Sequence, residues 1–292
     1  MKIVVLGEGY IGSQFVRVCE DRSHDTYCLT RASADFTDYK DVRQLLVNLK
    51  PDFVINAAGY TGKPNVDACE SDKDNTFFGN VIVPKTIGDV CSMLRIPWGH
   101  VSSGCIYSGD NGNGSGFSED DEPNFSFTSP PCSFYSGTKA AAEKLLKQHD
   151  SMPYIWRLRI PFDEYDSPRN YLTKLMTYDK LLEANNSISH RYDFCDACVQ
   201  LLEMKATPGI YNVCNPGFIK TSEVVKGLQD VLNLDRKFQF FKDESNFMKN
   251  VKTYRSNCVL NVTKLLDAGV KIRPVTEALN DALRNWKVKK QV

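Results

Sequence analysis

Tyr135 and Lys139 stand four residues apart in "YSGTK", at the start of a stretch with helical spacing. That spacing puts both side chains on one face of a helix. An ammonium beside a phenol stabilises the tyrosinate and lowers the phenol pKa, so the pair can exchange a proton with a carbonyl or alcohol. Upstream, "SSGCIYSG" (102–109) places Cys105 two residues after Ser103, where the chain leaves an apolar run. A buried cysteine is usually inert packing, so spacing alone leaves Cys105 between packing and chemistry.

A third set lies at the N-terminus. Gly7-Glu8-Gly9-Tyr10-Ile11-Gly12 is a G-x-G-x-x-G that follows "KIVVL" and opens a helical pattern. Its glycines let the backbone approach a pyrophosphate at a helix N-terminus, the arrangement of a dinucleotide site. About twenty residues on, an acidic residue would hold a ribose 2′-hydroxyl. The chain has Leu29-Thr30-Arg31-Ala32-Ser33 there. Arg31 can pair with a 2′-phosphate, which favours NADPH with NADH still possible. Glu8 opposes that preference by adding negative charge near the phosphates. Asn56, Ala57 and Ala58 close a third apolar run with small residues that can line a cofactor cleft.

These sets need a frame that brings them to one edge. "KIVVLG", "DTYCLT", "DFVINAAG", "WGHVSS" and "YIWRLRI" read as strands, separated by helical patterns that include "DYKDVRQLLVNLK", "NVIVPKTIGDVCSML" and "YSGTKAAAEKLLKQH". The alternation predicts an α/β fold, a Rossmann-like doubly wound parallel sheet. Residues 1–161 read as an NAD(P)-binding domain that also carries the catalytic residues. Residues 162–292, with strands at "GIYNVC" and "KFQFF" and a helix in "VTEALNDALRNWKVKK", read as a smaller C-terminal substrate-binding region partly interleaved with it. The Gly/Asn/Ser/Pro-rich stretch 109–134 reads as a wall or lid of the site.

Composition narrows the function. Lys+Arg and Asp+Glu are both 36, so net charge is zero and no basic stripe points to nucleic acid. No apolar run reaches the ~18 residues of a membrane span. Ten cysteines without a secretory signal read as reduced thiols of a cytoplasmic protein. Cys195-x-x-Cys198, near His190, has no fourth ligand in view and reads as buried thiols, so no metal is assigned.

Together the glycine turn, the "NAAG" segment, Ser103 and the Tyr135/Lys139 pair resemble the extended short-chain dehydrogenases/reductases that act on nucleotide sugars. "NAAGYTGKPNVDACES", "GSGFSEDDEPNFS", "SFYSGTKAAAEKLL", "RLRIPFDEYDSPRNYLTKL" and "GIYNVCNPG" are similar to the plant-type UDP-4-keto-6-deoxy-glucose 3,5-epimerase/4-reductases of UDP-L-rhamnose synthesis. A more distant similarity is to dTDP-4-dehydrorhamnose reductase and GDP-fucose synthase. The resemblance implies that Ser103, Tyr135 and Lys139 carry the reduction, Lys139 also touching the cofactor ribose. It implies that Cys105 and Lys174 are the acid/base pair of epimerisation. Asn65, Asp67, Ser103, Cys105, Asn170, Asn186, Ser187 and Arg255 are the implied substrate contacts. A nucleotide-sugar substrate, a homodimer and a separate upstream 4,6-dehydratase come with it. The alternatives are a dTDP-4-dehydrorhamnose reductase without epimerase activity, and a non-catalytic subunit on the same fold.

Overall fold

The computed structural model describes residues 1–112, 114–149 and 153–287. Six strands form one parallel sheet: β1 (Lys2–Leu6), β2 (Asp25–Leu29), β3 (Phe53–Asn56), β4 (Trp98–Ser103), β5 (Tyr154–Leu158) and β6 (Ile210–Val213). Their order is β6-β5-β4-β3-β1-β2, with Ile3 in register with both Thr26 and Phe53. The chain turns back past β1, so the order reverses between β1 and β3. In such sheets the crevice at that switch, beyond the carboxyl ends of the strands, is where ligands bind. The central strands are covered on both faces, which is why "IVVL" and "FVI" are continuous apolar runs; the edge strand β2 alternates exposed and half-buried positions.

The helices follow local signals. α1 (Gly12–Asp21) opens out of the glycine turn. α2 (Tyr39–Leu49) starts at Asp38, whose carboxylate accepts from the Lys40 and Asp41 N–H groups, and stops at Lys50 in the left-handed conformation before Pro51. The helical pattern around Pro84 resolves into two pieces. A π turn, Phe78–Ile82, runs into α3 (Val83–Leu94), and Pro84 falls in the first turn of α3, where its missing N–H is tolerated. α4 (Phe134–Leu146) carries Tyr135 and Lys139.

Two cores flank the sheet. On one face Phe15 of α1 meets Trp156 and Phe194 at ring-centroid distances of 5.8 and 5.9 Å. Phe194 comes from a later helix, Arg191–Glu203. On the other face Val42, Leu46, Ile87, Val90, Trp98 and Leu146 pack together. A third core gathers Phe162, Leu172, Ile188, Val224, Leu228 and Leu279 from the C-terminal half. The chain beyond residue 161 therefore supplies both a sheet edge, β6, and a separate small core.

The "KFQFF" segment forms a two-residue ladder, Gln239–Phe240 beside Lys180–Leu181. The last helix runs Val275–Arg284; residues 288–290 of the expected pattern lie outside the described residues. Among the described residues no helix is long and apolar enough to cross a membrane. The 109–134 stretch departs from its expected place as a wall or lid of the site. It lies along residues 257–261, with Gly109 N–H donating to Asn257 O at 2.8 Å and Phe117 N–H to Val259 O at 2.9 Å. Of its described residues only Ser133 lines the main cavity.

Candidate active site

A cavity of about 770 Å³ opens at the carboxyl ends of β1, β3 and β4 and continues between the segments around residues 169–182 and 241–257. Its floor begins at the glycine turn. Gly12 sits so close beneath Gly7 that a Cβ on it would lie 1.7 Å from the Gly7 carbonyl oxygen, so only glycine fits. Gly9, Tyr10 and Ile11 line the cavity, as do Ala57 and Ala58 after β3. Backbone donors at the start of α1 beside small residues suit a dinucleotide pyrophosphate. Tyr10 is braced from behind by the Arg191 guanidinium, 4.5 Å above its ring.

Ser103 ends β4, and its hydroxyl accepts from the Cys105 N–H at 3.1 Å, starting the short turn Gly104–Ile106. That local cap is what holds Ser103 and Cys105 side by side. Tyr135 lies in the first turn of α4, which is capped twice: the Ser133 hydroxyl accepts from Ser136 N–H at 3.1 Å, and Glu70 accepts from Phe134 N–H at 2.7 Å. Gly137 admits the Phe127 ring, which would lie 2.1 Å from a Cβ there. Tyr135 is thus fixed against the Ser103 hydroxyl, whose hydrogen bond favours the phenolate. Burial and the neighbouring Cys105 outweigh that bond and push the phenol well up, so Tyr135 keeps its proton.

Here the structure departs from the sequence expectation that Lys139 lowers the Tyr135 pKa. Lys139 Nζ is turned inward, donating to Val101 O at 2.9 Å and standing 3.3 Å from His100 Nε2. Burial lowers it to about 8, against upward pulls from Glu143 and Cys105. Glu143, one turn on, is itself held by Arg157 at 2.8 Å and by the Ser102 hydroxyl at 2.5 Å.

Cys105 receives a hydrogen bond from Arg159 Nη1 at 3.0 Å. Arg159 is buried, and its other terminal nitrogen donates to Asn186 Oδ1 and Ser256 O. The next residue, Ile160, has φ of 35°, a left-handed conformation that a β-branched residue rarely takes. Lys174 lines the same cavity. Burial lowers its pKa, helped by Arg169 and Arg255, while Cys105 pulls it up.

The structure thus brings Gly9, Tyr10, Ile11, Ala57, Ala58, Asn65, Asp67, Ser103, Cys105, Tyr135, Lys139, Lys174, Asn186 and Arg255 to one cavity. Asp67 and Arg255 meet each other across it in a bidentate pair, both contacts 2.8 Å. The other expected contacts are placed elsewhere. Gly7 and Gly12 lie under the turn and shape it. Arg31 is exposed beyond β2, outside the lining. Asn56 is buried, bonded to Ala58 N–H and to His100. Asn170 is fully buried as the cap of helix Tyr171–Thr177, its amide spent on Asp163 and Tyr165. The Ser187 hydroxyl is used by Leu260 N–H and Gly217 O. Cys195 and Cys198 are buried, and burial pushes both thiols well up.

Three residues escaped the sequence reading. Arg159 had a signal: "RLRI" puts two arginines in an apolar strand, and a buried charge must find a partner. Asn80 had none, because it reaches the cavity on a π turn, from which its amide ties Tyr60 to Thr138 of α4. His100 is the third, wholly buried in β4 behind Lys139.

A glycine turn at the switch point of a parallel sheet, with Ser103 at the end of β4 and Tyr135 and Lys139 on α4, defines a Rossmann-type protein of the extended short-chain dehydrogenase/reductase class. Within that class, the chain belongs to the family described as the RmlD substrate binding domain, whose model matches residues 1–287. It is 33% identical over 276 residues to the bifunctional dTDP-4-dehydrorhamnose 3,5-epimerase/dTDP-4-dehydrorhamnose reductase of Arabidopsis thaliana, covering 93% of this chain and 88% of that one. It is 32% identical over 285 residues to a trifunctional UDP-glucose 4,6-dehydratase/UDP-4-keto-6-deoxy-D-glucose 3,5-epimerase/UDP-4-keto-L-rhamnose-reductase of the same plant. That match covers 96% of this chain but only 41% of the relative. Its fold is that of a UDP-rhamnose synthase from Acanthamoeba polyphaga mimivirus, at a TM-score of 0.89 and 23% identity, with 98% and 99% of the two chains covered. The fold is also shared with a dTDP-4-dehydrorhamnose reductase from Bacillus anthracis in complex with NADP, at a TM-score of 0.81 and 18% identity, with 98% of each chain covered.

Proposed function

We propose that this protein is a bifunctional 3,5-epimerase/4-reductase that converts a nucleotide 4-keto-6-deoxy-glucose, as its UDP form, to the nucleotide L-rhamnose with NAD(P)H. The observation that carries it is one cavity lined by Ser103, Cys105, Tyr135 and Lys174, with a buried guanidinium donating to the Cys105 sulfur. The names of the plant relatives support the reductase half. The Cys105–Arg159 contact supports the epimerase half, because it seats the sulfur in the same cavity as Ser103, Tyr135 and Lys174.

The protons at C3 and C5 are acidic because each is α to the C4 ketone. Cys105 thiolate takes one of them, and the C–H electron pair moves into the C4 oxygen. That oxyanion accepts hydrogen bonds from Ser103 and Tyr135. Lys174 ammonium returns a proton to the other face of the carbon; a proton passing from Cys105 to Lys174 resets the pair for the second carbon. NAD(P)H, held along Gly9, Tyr10, Ile11, Ala57 and Ala58, would supply the hydride for C4. Tyr135, held protonated by burial, gives its phenolic proton to the C4 oxygen, and Ser103 keeps the two aligned. In this reading residues 1–161 hold the cofactor and residues 162–292 close over the nucleotide sugar. A homodimer in the cytoplasm, fed by a separate 4,6-dehydratase, completes it; the trifunctional plant relative joins such a dehydratase to the later steps by name.

Product analysis by NMR from UDP-4-keto-6-deoxy-glucose, with NADPH and NADH in parallel and in heavy water, tests this. The expected result is nucleotide L-rhamnose with deuterium at C3 and C5. In Cys105→Ala the deuterium is lost while pre-epimerised substrate is still reduced. Undiminished exchange in Cys105→Ala would remove the epimerase assignment and leave a reductase alone.

A further inference from the structure

Tyr135 is the second residue of α4, in the turn where a helix leaves its first N–H groups without partners of its own. The Ser133 hydroxyl takes one of them, Ser136 N–H. Ser133 is adjacent in sequence, so this cap shapes the turn without fixing where the turn lies. Another is held from outside. Phe134 N–H donates to Glu70 Oε1 at 2.7 Å, across 64 residues of chain. A carboxylate acceptor makes that bond a strong one. The Phe134 ring is gripped by the same segment, with Lys73 Nζ 5.4 Å from its centroid, and Phe127 packs 5.3 Å from it.

Glu70 belongs to a stiff bracket. It sits on the short helix Ala68–Ser71, near the end of segment 60–72. Tyr60 OH donates to Asp72, and Asn65 Oδ1 accepts from Asp67 N–H at 2.9 Å. The Asn80 amide holds Tyr60 by both its N–H and its carbonyl, each at 2.8 Å. Thr61, Asn65 and Asp67 line the cavity, and Arg169 and Arg255 of the facing wall reach the bracket at Thr61 and Asp67. Glu70, three residues past Asp67, is outside the lining and turned to α4. Its neighbour Cys69 is wholly buried and adds to the upward pull on the Tyr135 phenol.

We propose that Glu70 is a positioning residue for the reduction: through the Phe134 N–H it locks the first turn of α4, and with it the Tyr135 phenol, to the bracket that carries Asn65 and Asp67. Ser103 meets the phenol at its tip, and Glu70 holds the backbone at its base. The proton donor and the residues facing the sugar then share one rigid frame. The proposal rests on Tyr135 being the donor of the reading above.

The test compares Glu70→Ala with Glu70→Gln in the full chain. Misplacing a reacting group by a fraction of an ångström to an ångström is costly, so Glu70→Ala is expected to lower kcat for reduction about ten- to a hundredfold, with KM for NAD(P)H kept. Glu70→Gln is expected to keep kcat, because its amide oxygen still accepts from Phe134 N–H. A Gln variant as impaired as the Ala variant overturns the proposal, as does an Ala variant with normal kcat. The second readout does not need turnover. In protein labelled with ¹³C at tyrosine Cζ, Tyr135→Phe assigns the Tyr135 signal. That signal is expected to shift or broaden in Glu70→Ala and to stay in place in Glu70→Gln. An unmoved signal in Glu70→Ala overturns the proposal whatever the activity. Should Glu70→Ala fail to fold, Glu70→Asp, which draws the carboxylate back by one methylene, takes its place with the same expectations. If the signals behave as expected but no 4-keto-6-deoxy nucleotide sugar oxidises NAD(P)H, the functional reading fails and the placing of Tyr135 by Glu70 stands.

Discussion

The two walls of the cavity are built differently. The wall holding Ser103, Tyr135 and Lys139 rests on strand ends and a doubly capped helix, and its charges are buried in pairs such as Glu143–Arg157, with side-chain exposures of 3% and 0%. The facing wall comes from two-residue strands, short helices and loops. One link to the near wall is Arg255–Asp67, where each side chain is 22% exposed. Buried pairs fix geometry at the cost of desolvation, whereas half-exposed pairs are weak and can be exchanged for a ligand's charges. In the proposed reading the reductase groups Ser103, Tyr135 and Lys139 sit on the first kind of wall, and Lys174, with the groups that would recognise the rest of the substrate, sits on the second.

Four variants probe that contrast. The largest effect is expected for Tyr135→Phe, which removes the proton donor: NAD(P)H-dependent reduction falls about 10²–10⁴-fold while cofactor titration is unchanged. Near-normal turnover would move the donor elsewhere. Glu143→Gln strands the buried Arg157 charge and is expected to cost about 3–5 kcal/mol of stability by urea unfolding. A loss well under 1 kcal/mol would mean the near wall is no stiffer than the far one.

Next comes pH. The unfolded chain keeps the lysine proton to about pH 10.4, whereas burial lowers Lys139 in the fold to about 8. Stability therefore rises with pH between those values, by about 3 kcal/mol, and is level below about pH 8, where both states hold the proton. Lys139→Met is expected to flatten that rise in unfolding curves; a slope equal to wild type would assign it to other groups. The smallest effect belongs to the far wall. Asp67→Ala is expected to change stability by at most about 1 kcal/mol and to act on KM, with kcat kept. A kcat loss as large as that of Tyr135→Phe would erase the distinction between the walls.

The same contrast decides what the sequence could reveal. All six strands were legible, five of them because a buried strand is a local apolar run, and the edge strand β2 as a short β-rich run, "DTYCLT". Tyr135, Lys139 and the glycine turn were legible because their spacing is itself the chemistry. Arg159 was not assigned, since its partner Cys105 lies 54 residues away and nothing local records the meeting. The resemblance implies Asn170 as a substrate contact in the segment that ends at the acid/base residue Lys174; in the fold it is a helix cap, a role that spends all its hydrogen bonds. The 109–134 stretch has a loop's composition, but Phe117 and Phe125 anchor it into the core beside residues 257–261.

Ile160 gives the near wall a different kind of significance. Its φ of 35° is held between the buried Arg159 and Pro161, and a residue in such a conformation costs on the order of 1–3 kcal/mol. The chain accepts that loss where β5 ends, and Arg159 is left reaching Cys105, Asn186 and Ser256 at once. Stability and activity are set against each other at one peptide unit. An Ile160→Gly protein should melt higher yet exchange deuterium at C3 and C5 more slowly. In the reading proposed above, selection for thermal robustness alone would erode epimerisation before it touched reduction.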